Sequence, residues 1–397
     1  MVKSGHILFI VENNPVPFDR RVWHEACSAR DFGYEVSVIC PADKRSYDKR
    51  SVIDGIHIYR HPSPIEGLGR WAVILEYLNA FVWESLLALR LFLTRPFSVI
   101  HGANPPDNVF LIALPFKLAG VKYVFDHHDL TPETYVAKFG AKSVIYRILL
   151  WIEWLSFKAA DVVIATNESY KAIAIARGGK NPGNVVVVRN GPDIFFAPSR
   201  PPRPEILGRF RHLVGYVGVI GKQDGLENLL AAADHIVNHR QRHDIKFAVV
   251  GKGPNLKNLI RDAKAMGLEE FVHFYGFVPE ELLLEILAAT DVCVNPEFRN
   301  EFTDRSTMIK IMEYMALKKP IVQFSTTEGE FSAGEAAISV KDNDIVQFAD
   351  AILALLEDPA RRKRMGEAGR ERVEKSLSWP IQAKELEAVY DRIIPGS

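Results

Sequence analysis

The stretch His6-Ile7-Leu8-Phe9-Ile10-Val11, followed by Glu12-Asn13-Asn14-Pro15-Val16-Pro17-Phe18-Asp19-Arg20-Arg21-Val22-Trp23, decides the architecture. A short apolar run broken off by polar residues reads as a strand buried on both faces, and the proline-punctuated loop behind it feeds a helix. Working outward, β-branched runs recur at 35–40, 98–101, 122–126 and 161–166, separated by helix-length amphipathic segments. A second series follows at 213–219, 245–251, 272–275, 292–295 and 320–324. Strands alternating with helices specify a parallel sheet covered by helices, so the chain is α/β in both halves.

Between the halves stands Pro198-Ser199-Arg200-Pro201-Pro202-Arg203-Pro204, where four prolines remove donors and favour a stiff extended connector. This predicts domains over 1–197 and 206–375, a linker at 198–205 and a terminal helix within 376–397. The 397 residues agree, since one core serves roughly 150. With 48% hydrophobic and 25% charged residues the chain is neither disordered nor collagen-like. Lys plus Arg and Asp plus Glu each number 49, so no overall field draws nucleic acid, and an anionic surface would need a local basic patch. Cys27, Cys40 and Cys293 are too few for a disulfide framework or zinc cluster and fit a reducing cytoplasm. Polar residues 12–14 cut the first apolar run short of a signal peptide, and Glu76, Asn79, Glu84 and Arg90 argue against a spanning helix over 71–94.

In open α/β sheets ligands sit beyond the carboxyl ends of the strands, where free amides and helix dipoles favour anions. The loop after the first strand is therefore a candidate binding loop through Asn14, Phe18, Asp19 and Arg20; alternatively Asp19 simply caps the helix. Phe125-Asp126-His127-His128-Asp129-Leu130-Thr131-Pro132-Glu133 brings two imidazoles and three carboxylates into nine residues. Adjacent histidines of a strand point to opposite faces, which disfavours a metal pair and allows one of them a hydrogen-bonding or acid/base role. In the second half, Gly215-Tyr216-Val217-Gly218-Val219-Ile220-Gly221-Lys222-Gln223-Asp224-Gly225 lets a phosphate approach backbone, without the Gly-Lys-Ser/Thr ending of a P-loop. Gly251-Lys252-Gly253-Pro254 lacks the third glycine of a dinucleotide fingerprint.

Asp304-Arg305-Ser306-Thr307-Met308-Ile309-Lys310 runs into Ile311-Met312-Glu313-Tyr314-Met315-Ala316. Ser306 or Thr307 at the cap would leave the first helical amides to a phosphate, with Lys310 and Glu313 three apart on one face. The plainer alternative is a surface ion pair.

Glu313-Tyr314-Met315-Ala316 with Lys319-Pro320-Ile321-Val322, Asn190-Gly191-Pro192-Asp193, the Gly251–Pro254 turn and Met365-Gly366-Glu367-Ala368-Gly369-Arg370 together carry a resemblance over nearly the full length. The chain resembles glycosyltransferase family 4, retaining nucleotide-sugar enzymes of the GT-B fold. Pro17–Trp23 and Asp304–Met308 are similar to the bacterial cell-surface polysaccharide enzymes related to fucosaminyltransferases.

The resemblance implies two Rossmann-like domains facing across a cleft, the terminal helix returning to the first, and transfer from a nucleotide diphosphate sugar, a UDP-sugar favoured, to a hydroxyl. It implies Glu313 on the ribose hydroxyls, His128 beside the donor sugar, and neither cofactor nor metal; Asp342-Asn343-Asp344 reads as a solvated turn. Two departures stand out. Arg305 replaces the first glutamate of the paired-glutamate motif, and Val219 and Asp224 replace the phosphate-clamping arginine and lysine. Arg305, Lys310 and Lys222, with amides of Gly221 and Thr307, are expected to rebuild the clamp beside Gly218, Gly251 and Gly253. A nucleotide-sugar epimerase and an inactive scaffold are the alternative functions. The Trp-, Tyr- and Leu-rich segments at 71–94 and 144–157, flanked by Arg90, Arg95, Arg147 and Lys158, suit either core burial or a membrane surface and a polyprenyl-diphosphate-linked acceptor.

Overall fold

A computed structural model describes residues 3, 5–42, 48–62, 70–140, 142–192 and 203–394, with the side chains of 70–76 and 138 outside that description. Two compact units result, one from Met1–Arg189 with Gln382–Ser397, the other from Asn190–Ile381. Most of the proline-rich segment at 198–205 falls outside the described residues. Its last proline opens a short helix, Pro204–Leu207, at the one helical position where a missing N–H costs nothing; this corrects the expectation of an extended connector throughout.

The first unit is built on eight strands: β1 (His6–Ile10), β2 (Glu35–Pro41), β3 (Arg50–Ile53), β4 (Ile56–His61), β5 (Val99–Ala103), β6 (Lys122–His127), β7 (Val162–Ala165) and β8 (Val185–Val187). Their order is β3-β4-β2-β1-β5-β6-β7-β8, and all pairings are parallel except β3 on β4. Ile7 to Ile10 are wholly buried, as an interior strand covered on both faces requires. Among the described residues the helices that accompany these strands are α1 (Arg20–Asp31), α2 (Arg70–Thr94), α3 (Phe110–Lys117), α4 (Thr131–Phe139), α5 (Val144–Ala159) and α6 (Glu168–Ala176). One core cluster joins Leu8, Ile10 and Phe125 of the sheet to Ala88, Phe116 and Phe157 of the helices. The C-terminal helix Trp379–Ile393 completes this unit: the Tyr34 hydroxyl donates to Asp391 at 2.7 Å, and Lys3 pairs with Asp391 at 2.6 Å and Glu387 at 3.0 Å.

The second unit is wholly parallel: β9 (His212–Val217), β10 (Ile245–Val250), β11 (Val272–Gly276), β12 (Val292–Asn295), β13 (Ile321–Phe324) and β14 (Ala337–Val340), in the order β11-β10-β9-β12-β13-β14. Tyr216, Phe247, Phe324 and Phe348 fill one core, the last two stacked at 4.6 Å. The helix that follows β9 is α-helical over Leu226–Asp234 and widens by one turn at His235–His239. Asp342 and Asn343 take positive φ and Asp344 caps Ile345–Glu357, so the Asp-Asn-Asp segment is a turn and a cap.

Both sheets reverse their strand order once, between β1 and β5 and between β9 and β12. At such a point adjacent loops leave in opposite directions and open a crevice, so the fold itself nominates the loops after these strands.

Candidate active site

In the first unit, Asp126 and His127 end β6, next to the switch point. The Asp19 carboxylate accepts the Val22 N–H at 3.1 Å and caps α1, which puts Arg21 in the first turn and aims it inward. Arg21 donates through Nε and Nη2 to the two oxygens of Asp126 at 2.8 and 2.6 Å, and through Nη1 to the Val188 carbonyl at 3.1 Å. His128 Nδ1 lies 2.9 Å from the same carboxylate, so Nδ1 carries the proton toward Asp126 and Nε2 is left to meet a ligand. Burial would raise the Asp126 carboxyl, yet Arg21 and His128 hold it well below the usual carboxylate range. Burial likewise works against a charged His128, and Asp126 outweighs it, raising the imidazole above its ordinary value.

The network continues inward. Arg21 Nη2 lies 3.1 Å from Glu25, whose other oxygen is 3.2 Å from His101 Nε2, and His101 Nδ1 meets the Tyr390 hydroxyl at 2.8 Å. Glu25, His101 and Asp126 bring ligand atoms within 4.8 Å of one another, but the guanidinium already supplies the cation that such a cluster would gather. The Asn104 side-chain carbonyl accepts the N–H groups of His128 at 2.8 Å and Asp129 at 3.0 Å, pinning the loop after β6 to the loop after β5. Beside it, burial and the nearby Glu153 push the Asp107 carboxyl up to about 6. His127 turns the other way, fully buried, with Nε2 3.3 Å from Glu153 and its ring against Phe157 and Tyr170. Of the two histidines, His128 therefore faces the loops and His127 belongs to the core.

In the second unit, the turns after β9 and β10 interlock. Gly218 N–H donates to Val250 O, Ile220 N–H to Lys252 O, and Asn255 N–H to Ile220 O. A β-carbon on Gly251, at φ 141°, would stand 1.8 Å from Gly218 O, and one on Gly253 would stand 2.3 Å from Ile220 O, so these glycines are required by the approach of two backbones. Over this turn lies Lys310. Its Nζ is 2.6 Å from Glu297 Oε1, 3.3 Å from the Tyr216 hydroxyl, 4.8 Å from the Tyr216 ring centre and 4.0 Å from Asp224 Oδ1. A β-carbon on Gly218 would sit 3.2 Å from Lys310 Cε. Burial would lower the lysine, but Glu297, Tyr216 and Asp224 together raise it, so the ammonium stays charged. Asp224 goes up, first through burial and then through Glu297, with Lys310 opposing.

Several expected roles change in this setting. The helix bearing Glu313 spans Ile309–Ala316 and is capped at Met308, so Ser306 and Thr307 precede it and are not its cap; the Ser306 hydroxyl donates instead to Phe302 O at 2.9 Å. Lys310 turns to Glu297 and not to Glu313, which removes the surface-pair alternative. The Gly221 N–H, expected to meet a phosphate, donates to Asp224 Oδ2 at 2.9 Å, and the Gly218 and Gly251 N–H groups go to Val250 O and Gly276 O. These amides are occupied because Asp224 and the adjacent strand ends reach them first. Arg305 and Lys222 are exposed, and Glu313 is half-buried. Asp19 is the helix cap, Asn14 is half-buried and Phe18 exposed in the loop, and Arg20 is exposed as the first residue of α1. Arg21, Asp126, Tyr216 and Glu297 were not singled out from the sequence. For Arg21 the signal was present: with Asp19 as cap, the second arginine of the pair falls on the buried stripe with Val22, Glu25 and Ala26.

Comparison with known proteins agrees with this geometry. The family model "Glycosyl transferase 4-like domain" matches residues 19–191 and "Glycosyl transferases group 1" matches 211–358, one in each unit. The D-inositol 3-phosphate glycosyltransferase of Corynebacterium aurimucosum is 24% identical over 297 residues, 71% of this chain and 66% of that protein. Sucrose-phosphate synthase from Thermosynechococcus elongatus superposes with a TM-score of 0.77 at 18% identity, covering 99% of this chain and 100% of that one. Anabaena HepE in complex with UDP-glucose gives 0.73 at 15% identity, covering 98% and 100%. Two Rossmann-like units, each with its switch-point loops, form the GT-B class of sugar-transferring proteins. The chain belongs to glycosyltransferase family 4.

Proposed function

We propose that this glycosyltransferase takes a sugar from a UDP-sugar and delivers it to a hydroxyl with retention of configuration and without a metal, in bacterial cell-surface polysaccharide or glycolipid synthesis. The observation that carries the donor assignment is Lys310, a buried and fully charged ammonium seated against the Gly218–Gly225 turn at the switch point of the second unit. As the anomeric C–O bond breaks, its electron pair moves onto the diphosphate while the acceptor oxygen takes the vacated position on the anomeric carbon and passes its proton to the departing diphosphate oxygen. A cation already fixed beside that diphosphate lowers the barrier without reorganising. Lys310 serves as that cation in place of the clamping arginine and lysine, whose positions Val219 and Asp224 occupy here, with Arg305 and Lys222 as exposed partners that a bound diphosphate would draw in. Glu313 holds the ribose hydroxyls, and His128 offers Nε2 to a sugar hydroxyl, its ring locked by Asp126 and Arg21. UDP-glucose, with which HepE was solved, is the first donor to try.

The test is release of free UDP and transfer to an acceptor, preceded by a thermal-shift screen of UDP-, GDP- and dTDP-sugars. UDP-sugars raise the melting temperature, and Arg305→Ala lowers turnover by about two orders of magnitude or more. Wild-type turnover in that variant removes Arg305 from the clamp. An epimerised nucleotide sugar with no free nucleotide would establish an epimerase, and no shift with any donor would leave a scaffold.

A further inference from the structure

The first unit carries a surface that the transferase reading does not use. α2 and α5 each contain one acid over their described side chains, and both acids are withdrawn: Glu84 is buried 3.6 Å from His61 Nε2, and Glu153 is buried between His127 and Arg177. Among the described side chains of the two helices the exposed charges are all cations, Arg90 on α2 and Arg147 and Lys158 on α5. The rest of the outward faces is apolar. Leu86 and Leu93 line α2, the latter 75% exposed, and Trp151 on α5 is 61% exposed. α3 packs against both helices and adds Leu118, 94% exposed, so the three faces are continuous. Patches of this extent on a folded domain mark a partner.

A second observation names the partner's chemistry. Arg50, Arg90 and Arg95 converge on a cavity of about 200 Å³ with Tyr59 in its wall, on the flank of the α2 stripe. The Arg50 guanidinium lies over the Tyr59 ring at 5.4 Å, and Arg95 pairs with Glu35. Among the described residues no carboxylate pairs with Arg50 or Arg90. Three guanidiniums beside an apolar face suit a phosphate attached to hydrocarbon.

We propose that the first unit lies on an anionic bilayer, with a phospholipid phosphate in the Arg50–Arg90–Arg95 pocket and the α2, α3 and α5 faces in the interfacial layer. Trp154, with Lys158 Nζ 5.7 Å from its ring, is the pairing of aromatic body and cationic tip that such a layer holds. A second copy of the chain fits less well, because two-fold pairing of a face whose described exposed charges are Arg90, Arg147 and Lys158 sets like charges together. The proposal goes beyond the transferase assignment and stands without it.

The experiment is co-sedimentation with vesicles of phosphatidylcholine containing about a third phosphatidylglycerol, against pure phosphatidylcholine. The full chain pellets with the anionic vesicles only. Leu93→Glu with Trp151→Glu, and separately Arg50→Glu with Arg90→Glu, each lower the bound fraction about tenfold while melting temperature and UDP release stay as in the wild type. Equal binding to both vesicle types overturns the proposal, as does binding that neither pair of substitutions alters. It is also overturned by a melting-temperature rise with inorganic phosphate in a chain that ignores vesicles, or by a dimer in sedimentation equilibrium that Trp151→Glu dissolves. Should one pair fail to fold, the other still decides.

Discussion

Asp126 shows how much one carboxylate organises. It takes two hydrogen bonds from Arg21 and one from His128, and no water-facing atom is needed to keep it charged. Because the carboxylate raises His128 against the pull of burial, Asp126→Asn leaves burial and Arg21 to lower the imidazole with only Asp129 opposing, and its pKa falls. If protonated His128 assists turnover, the alkaline limb of kcat/KM moves to lower pH in the variant, and a pH profile shows it. In the native chain the stabilisation from charged His128 is complete below about pH 6.5 and is lost as pH rises through the raised value, which urea unfolding at a series of pH values measures. Lys310→Ala strands Glu297 and Asp224 without their shared cation and costs about 3–5 kcal/mol by urea unfolding, with donor turnover falling about a hundredfold or more. Little of this was legible in the sequence. The density of acids and imidazoles at 125–133 marked the place, but which atoms met depended on α1, over a hundred residues earlier. Glu297 was invisible for the same reason: nothing in its neighbours says that Lys310, thirteen positions on, folds back over it.

The elements themselves were more readable. Period and length found β1, β2, β5, β6 and β7 and the first five strands of the second sheet, since a buried parallel strand is an apolar run whatever its partners. The misses were the β3–β4 hairpin and two short edge strands. β3 and β4 form a hairpin across Asp54 and Gly55, both at positive φ, and the Asp-Gly pair was the available signal. β8 and β14 lie at sheet edges and run only three and four residues. Helix starts were harder, because hydroxyls at 306 and 307 look like caps until the chain's path past Asp304 is known; Asp304 instead accepts from Thr327. Asp19 was the reverse case, a cap that also looked like a ligand. Asp19→Ala lowers stability by about 1 kcal/mol through loss of the α1 cap, read by urea unfolding, and the acceptor KM of the same variant tells whether the residue also meets the acceptor. At the interlocked turns, Gly251→Ala forces a methyl against Gly218 O and costs more than about 2 kcal/mol, read as a fall in melting temperature.

Across the whole molecule, composition and the two series of strands announced two α/β bodies, while the division of the chain between them could be read only from contacts. The C-terminal helix is held in the first unit by Tyr390 on His101 and by Asp391 on Tyr34 and Lys3. Tyr390→Phe therefore removes the partner of His101 Nδ1 and lowers the stability of the first unit by about 1 kcal/mol or more, which amide exchange localises to β1 and β5. This division also bears on synthesis. The second unit is one unbroken stretch, whereas the first waits for the helix that begins at Trp379, which leaves the ribosome only after the second unit. A nascent chain thus carries an eight-stranded sheet without its closing helix, its His101 side chain lacking the tyrosine that meets it, until that helix emerges.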